Sequence, residues 1–190
     1  MLRAIARTVR HSPDRLLHPI RRRNAMARLK KRKRWGTVHF ICLGNINRSA
    51  YGVVAYRRAM ARRGMETVRA ASAGFIGPGR PSPELARAAA ARRGLDLSRH
   101  RSRLLAPEQV RPDDLVLVMT PKQVRQARRV LGDSDPEVLL LGDLDPRPIT
   151  RRLIQDPYGH PPEVFERVFD RIDRCVDQLA DALVRGSARD

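Results

Sequence analysis

Apolar positions along the chain alternate between short continuous runs and longer stretches with helical spacing. Residues 38–41 end an apolar, β-like run. Residues 49–63 place Ala50, Val53, Val54, Met60 and Ala61 in a largely helical pattern closed by Gly64. Residues 67–73 alternate as a strand, and the Gly/Pro-rich stretch 74–79 is a loop by composition. A helix is predicted from the Pro81-Ser-Pro83 start through Ala90, ending at Gly94. Residues 115–119 form the continuous apolar run of a buried parallel strand. Residues 121–131 predict another helix, 138–141 the last strand, and 162–184 a long terminal helix. Strands that alternate with helices predict an α/β fold: a single doubly wound, four-stranded parallel sheet with helices on both faces. Such sheets bind ligands at the carboxyl ends of their strands.

The first 35 residues follow a different pattern. Leu2, Ile5 and Val9 recur at helical spacing with Arg3, Arg7 and Arg10 between them, and Ser12-Pro13-Asp14 predicts a fresh helix start before Leu16 and Leu17. Pro19 is expected to interrupt that second segment. Lys30-Lys-Arg-Lys-Arg34 is a block of like charge that cannot pack against itself. The chain thus divides into a basic extension, 1–35, partly helical or disordered, and a domain, 36–190.

Charge sharpens this division. The net charge is +19, but residues 1–35 hold thirteen Lys/Arg and a single acid, Asp14, and so carry +12 of it. Three readings of the extension stay open: a loosely docked segment without a role, an anchor on an anionic membrane or an acidic protein, and a transit-like targeting segment. Nucleic acid is a poor fit, because aromatics make up only 4% of the chain and cannot supply stacking platforms. At 190 residues with 42% hydrophobic content, the chain can build one α/β core, and no apolar run is long enough to span a membrane. Two cysteines, Cys42 and Cys175, have no metal-like spacing and are too few for a disulfide framework, so a reducing, cytoplasmic setting is expected. The periodicity of 162–184 places Cys175 on an apolar stripe with Phe165, Val168, Ile172 and Leu179. No nucleotide-binding signature and no metal site is present in the sequence pattern, and no cofactor is called for.

Chemistry concentrates where the first strand ends. Cys42-Leu-Gly-Asn-Ile-Asn-Arg-Ser49 brings a thiol and a guanidinium into one short loop, and a helix starting near Arg48 would aim its unpaired amides into it. Gly44 and Asn45 are residue types that tolerate the left-handed backbone of a tight curve. Such a loop attracts an anion to a thiolate, which is the kernel of a phosphate-cleaving site. A proton donor is also needed, and three Asp-Pro pairs, at Asp135, Asp145 and Asp156, are equally able to supply one on chemical grounds.

From about residue 37 to 183 the chain resembles the low-molecular-weight protein tyrosine phosphatase family, which shares its fold with the thioredoxin-coupled arsenate reductases. Four segments match in order: the 42–49 loop, Ser72-Ala-Gly74, Gly94-Leu-Asp-Leu-Ser98 with His100 following, and Asp156-Pro-Tyr-Gly159. The resemblance implies hydrolysis of protein phosphotyrosine without a metal. Cys42 would be the nucleophile, Arg48 the bidentate phosphate clamp and Asp156 the general acid. The amides of Leu43, Gly44, Asn45, Ile46 and Asn47 would cradle the phosphoryl oxygens, and Ser49 would hydrogen-bond the sulfur. Tyr158 would line the rim, while Ser72 and His100 would brace the loop through Asn45. The implied partner is a tyrosine-phosphorylated protein, in bacteria a tyrosine kinase.

Two alternatives accompany this reading. An arsenate reductase of the same fold would need resolving cysteines after Ser98, and residues 99–174 contain none. A phosphate-binding regulatory module tethered by its basic extension would not need the full set of Cys42, Arg48 and Asp156. Ala50 and Tyr51 depart from the family pattern of Pro followed by an apolar residue, which is expected to alter the loop's outer lip. Asn47 replaces a second cysteine that most members use to trap an oxidised nucleophile as a disulfide. Peroxide is therefore expected to drive Cys42 past sulfenic acid to states that thiols do not reduce. Activity after peroxide and then dithiothreitol checks this; full recovery would refute it.

Overall fold

The computed structural model of the chain describes residues 2–32, 34–65 and 68–187. Its apolar runs form four strands, β1 (Val38–Cys42), β2 (Ala70–Gly74), β3 (Leu115–Val118) and β4 (Glu137–Leu140). They pair in parallel in the order β2-β1-β3-β4. Strand β1 is therefore central, and all five of its residues are buried. Thr67, the expected first residue of the second strand, lies outside the described residues. Among the described residues five α-helices accompany them: α1 (Leu2–Leu29), α2 (Arg48–Ala61), α3 (Glu84–Ala91), α4 (Pro121–Leu131) and α5 (Pro162–Ser187).

Side-chain alternation along the strands sorts the core into two layers. Phe40 and Leu117 point into a layer shared with Met60 of α2, Ala89 of α3, and Phe169, Ile172 and Cys175 of α5. Ile41, Val116 and Val118 point the other way, against Ala127 and Leu131 of α4. The start of α4 is set locally: Thr120 Oγ1 accepts from Gln123 N–H at 3.2 Å, and Gln123 Oε1 accepts from Met119 N–H at 3.0 Å. This reciprocal cap precedes a proline at the first helical position, so the helix has a defined N-terminus directly after β3.

The N-terminal segment differs from its expected form. Helix α1 is continuous through Pro13 and Pro19 instead of breaking at Pro19. Proline removes one helical hydrogen bond and crowds the carbonyl four residues back, but tertiary contacts on both sides of Pro19 offset that cost. His18 Nε2–H donates to Asp145 O at 2.9 Å, and Arg22 donates to Gln178 Oε1 on α5. Ala25 and Leu29 are buried in the same core layer as Phe40 and Phe169. Arg28 pairs with Glu137 and reaches Val138 O, at the start of β4. Helix α1 therefore runs antiparallel to β4. Its Asp14 end lies at the carboxyl edge of the sheet and its Leu29 end at the amino edge.

A buried polar cluster holds the opposite end of β1. Asp114 Oδ1 accepts from Thr37 N–H at 2.6 Å, and Oδ2 accepts from His39 Nε2 at 3.0 Å and from Arg111 N–H at 2.9 Å. Burial works to raise the Asp114 pKa, but these hydrogen bonds outweigh it and hold the carboxyl below its ordinary range. Its contribution to stability is therefore complete above the ordinary carboxylate pKa and is lost as pH falls through the depressed folded value. Asp114→Ala strands buried donors and is expected to cost about 3 kcal/mol at neutral pH. Urea denaturation measures this; a change below about 0.5 kcal/mol, ordinary for a surface site, would contradict it.

Candidate active site

Cys42 is the last residue of β1 and is buried, with its Sγ facing a loop that turns directly into α2. Asn45 N–H donates to Sγ at 3.2 Å, and Ser49 Oγ lies 3.0 Å from the sulfur. The direction of the second bond follows from its neighbours. Asn45 Oδ1 accepts from Arg103 N–H at 2.9 Å, which fixes the amide orientation and leaves Nδ2 to donate to Ser49 Oγ at 2.9 Å. Ser49 then has its own proton for the sulfur, since its other acceptor, Ala73 O, is 3.5 Å away. Two donors thus converge on Sγ, the kind of support that stabilises a sulfur nucleophile carrying negative charge.

Asn45 takes the left-handed conformation, with φ of 50°. Gly44, the other residue expected to do so, does not. Its lack of a side chain serves a close approach instead, because a Cβ would stand 2.8 Å from Arg80 Nη2. Gly74, at the end of β2, is constrained by backbone: a Cβ there would lie 2.8 Å from both Asn45 N and Leu43 O. With that space free, Phe75 and Ile76 N–H donate to Leu43 O at 2.8 and 3.1 Å. His100 Nε2 lies 2.6 Å from Asn45 O, and a carbonyl can only accept, so the proton is on Nε2. Burial lowers the His100 pKa, with Arg103 and Arg101 acting in the same direction against that hydrogen bond. The ring is thus a neutral donor to the loop. Among the described residues Ser72, on β2 opposite Phe40, makes no hydrogen bond to Asn45, whose side-chain amide meets Ser49 and Arg103 instead.

Arg48 is the first residue of α2 and is 3% exposed. Its Nη1 donates to Ile154 O at 3.1 Å and its Nη2 pairs with Asp156. Arg48 Nε is buried with no hydrogen-bond partner among the described residues. Of the three Asp-Pro aspartates, only Asp156 faces the loop. Asp145 is fully buried and paired with Arg171 and Arg174, and Asp135 ends the 3₁₀ turn before β4. A cavity of about 260 Å³ is lined by Cys42, Leu43, Gly44, Ile46, Asn47, Asp156 and Tyr158. Tyr158 is 65% exposed at its mouth, and its N–H donates to Asp156 Oδ1 at 3.2 Å.

Ile76 and Arg80 also line this cavity and were not singled out by the sequence pattern. Arg80 ties Gly44 O, Ile76 O and Gly77 O together at 3.0, 3.1 and 2.9 Å; an arginine after a Gly/Pro loop gives no pattern that would mark it. Ala50 and Tyr51 do not form the outer lip expected of them, since both are fully buried. Tyr51 stacks on Phe169 at 3.8 Å and donates to Asp173, so the substitution acts on the α2–α5 interface. Asn47 is 2% exposed, and its Oδ1 has no hydrogen-bond partner among the described residues. Among those residues no group of three His, Cys, Asp or Glu is placed to hold a metal ion.

This arrangement has known counterparts. The sequence profile of the low molecular weight phosphotyrosine protein phosphatase family matches residues 37–189. The low molecular weight protein-tyrosine-phosphatase Etp of Escherichia coli K12 is 29% identical over 161 residues, covering 84% of this chain and all of Etp. The probable low molecular weight protein-tyrosine-phosphatase EpsP of Ralstonia solanacearum is 32% identical over 143 residues, covering 74% of this chain and 91% of EpsP. Among solved structures, the tyrosine phosphatase Wzb from Escherichia coli K30 in complex with sulphate superposes with a TM-score of 0.69 at 26% identity, over 79% of this chain and 99% of Wzb. By sequence and by fold, the chain belongs to the low molecular weight protein tyrosine phosphatase family.

Proposed function

We propose that this site hydrolyses protein phosphotyrosine through a cysteinyl-phosphate intermediate. The observation that supports it most is that Cys42 and Asp156 line one cavity, with Asp156 paired to Arg48 and two hydrogen-bond donors on Sγ. The Cys42 thiolate attacks phosphorus as the bond from phosphorus to the tyrosyl oxygen breaks. Arg48 takes the phosphoryl oxygens with its planar guanidinium, to which the partnerless Nε contributes a donor. The loop amides hold the remaining oxygens as an anion nest. Drawing Arg48 onto the phosphoryl group loosens its pair with Asp156; the freed carboxylate takes up a proton from solvent and gives it to the departing phenolate. In the second step water attacks the cysteinyl phosphate, Asp156 takes the proton, and the bond from sulfur to phosphorus breaks to release phosphate. Exposed Tyr158 offers an aromatic face to the substrate ring.

The same reading covers partner and place. A bacterial tyrosine kinase is the proposed phosphorylated partner, supported by the bacterial origin of Etp and EpsP. The enzyme is proposed to be cytoplasmic and peripheral to the membrane. Leu16, Leu17 and Ile20 are exposed on α1, beside Arg15 and Arg23 in a strongly basic segment, as on helices that lie on anionic lipid.

Two measurements test these proposals. Rapid acid quenching with a labelled aryl phosphate is expected to trap phosphorus on the wild-type protein and none on Cys42→Ala, while Arg48→Lys lowers kcat/KM by about 100-fold; unlabelled wild type during turnover would refute the covalent route. The full chain is expected to sediment with phosphatidylglycerol vesicles, to release at high salt, and to ignore phosphatidylcholine. Absence of binding to the anionic vesicles would remove the membrane placement.

A further inference from the structure

The strap of residues 152–156, between the 3₁₀ turn at Leu141–Leu144 and α5, carries the aspartate assigned as the acid. Its backbone is tied along the first three residues, 152–154. Ile154 N–H donates to Met119 O at 2.9 Å. Ile154 O accepts from Arg48 Nη1 at 3.1 Å, and Leu153 O accepts from Arg171 Nη1 at 2.8 Å. Arg152 O accepts from Arg171 Nη2 at 3.4 Å. The Arg152 side chain is gripped by buried Asp143, with Nε and Nη2 at 2.8 and 2.7 Å from its two oxygens. All of these partners lie within the family-matched residues 37–189.

One tie comes from outside that range. Asp14 Oδ2, on α1, accepts from Arg152 N–H at 3.0 Å, while its Oδ1 pairs with Arg21 at 2.7 Å. Asp14 is the single acid among the first 35 residues, and it sits where α1 reaches the carboxyl edge of the sheet. Burial works to raise its pKa, but the Arg152 amide and Arg21 outweigh this, so its carboxyl stays charged below its ordinary range. A charged acceptor makes the stronger hydrogen bond to a backbone amide. The helix behind it cannot shift freely, because Ala25 and Leu29 are in the core and His18 is bonded to Asp145 O.

We propose that Asp14 is a positioning residue for the reaction: the N-terminal helix, an addition to the family domain, holds the strap that aims Asp156 at the leaving oxygen. This rests on the reading of Asp156 as the acid. The extension then has a catalytic consequence separate from its charge. Losing one tie of several lets the strap drift at its start while Arg48 still holds its middle. The loss is therefore partial and confined to the step that Asp156 serves.

The test uses kcat/KM of the full-length chain, which reports the steps through the first cleavage, with two substrates. Nitrophenyl phosphate has a leaving group that departs without a proton, and phenyl phosphate has one that needs it. Asp156→Ala is expected to lower kcat/KM for phenyl phosphate far more than for nitrophenyl phosphate. Asp14→Ala is expected to follow the same pattern with a loss of roughly 3- to 10-fold on phenyl phosphate, since small misplacements of a reacting group carry costs of this order or larger. It should cause no further loss in the Asp156→Ala background, because both changes act on one proton transfer. Asp14→Asn keeps an acceptor for Arg152 and should recover most of the activity; should the alanine variant fail to fold, Asp14→Leu, which fills the same space without an acceptor, gives the same comparison. Equal losses on both substrates, an additive loss in the double variant, or no effect would overturn the proposal while leaving the acid assignment intact. If Asp156→Ala itself fails to discriminate the two substrates, the acid assignment falls and the proposal with it.

Discussion

The structure depends on a turn. Between Cys42 and Arg48 the chain must pass from the central strand into a helix while the Asn45 amide faces the sulfur. That curvature needs a left-handed residue at Asn45, and a side chain whose own hydrogen bonds offset part of the strain. Asn45 meets both needs at once: its amide bridges Ser49 and the 103 backbone, and its backbone nitrogen points at the sulfur. The neighbouring strand must also come close, which is why β2 ends in Gly74, with no room for a Cβ between Leu43 O and Asn45 N. The nucleophile is placed by these backbone constraints before any charge is considered.

Arginine does much of the remaining work inside the molecule. Arg152 is paired with Asp143, Arg171 and Arg174 with Asp145, and Arg93 with Glu166 and Asp170. Burial of a carboxylate is costly unless donors surround it, and Asp145, fully buried, is surrounded by guanidinium groups from α5. A basic composition therefore does not translate directly into a basic outer surface. Arg80 shows the same use at the site itself, where one guanidinium ties three loop carbonyls.

Much of the fold was legible because three of the strands are short, mostly buried runs and several helices carry a local start or stop signal. Thr120-Pro121 and the Gly64 and Gly94 stops are examples. The helix beginning at Arg48 and the placement of Cys42 at a strand end were legible for the same reason. The continuous α1 was not. Local rules place a break at Pro19, and contacts to residues more than a hundred positions away override them. Ser72 and the Ala50-Tyr51 pair were misplaced for a related reason: proximity in a motif does not say which neighbour a side chain turns toward.

The sequence by itself determined the alternation of elements, the thiol and guanidinium in one loop, and, through its resemblance to a family, the choice of Asp156. These rest on local periodicity and on residue types at short spacing, which a linear chain records directly. Only the tertiary structure decided that Ser49 has a proton to offer the sulfur, that Arg80 and Gly74 shape the loop, and that a single acid in a basic extension touches the strap carrying Asp156. Each of those depends on atoms brought within 3 or 4 Å from distant parts of the chain, about the reach of a hydrogen bond or van der Waals contact. No spacing along the sequence encodes such a meeting.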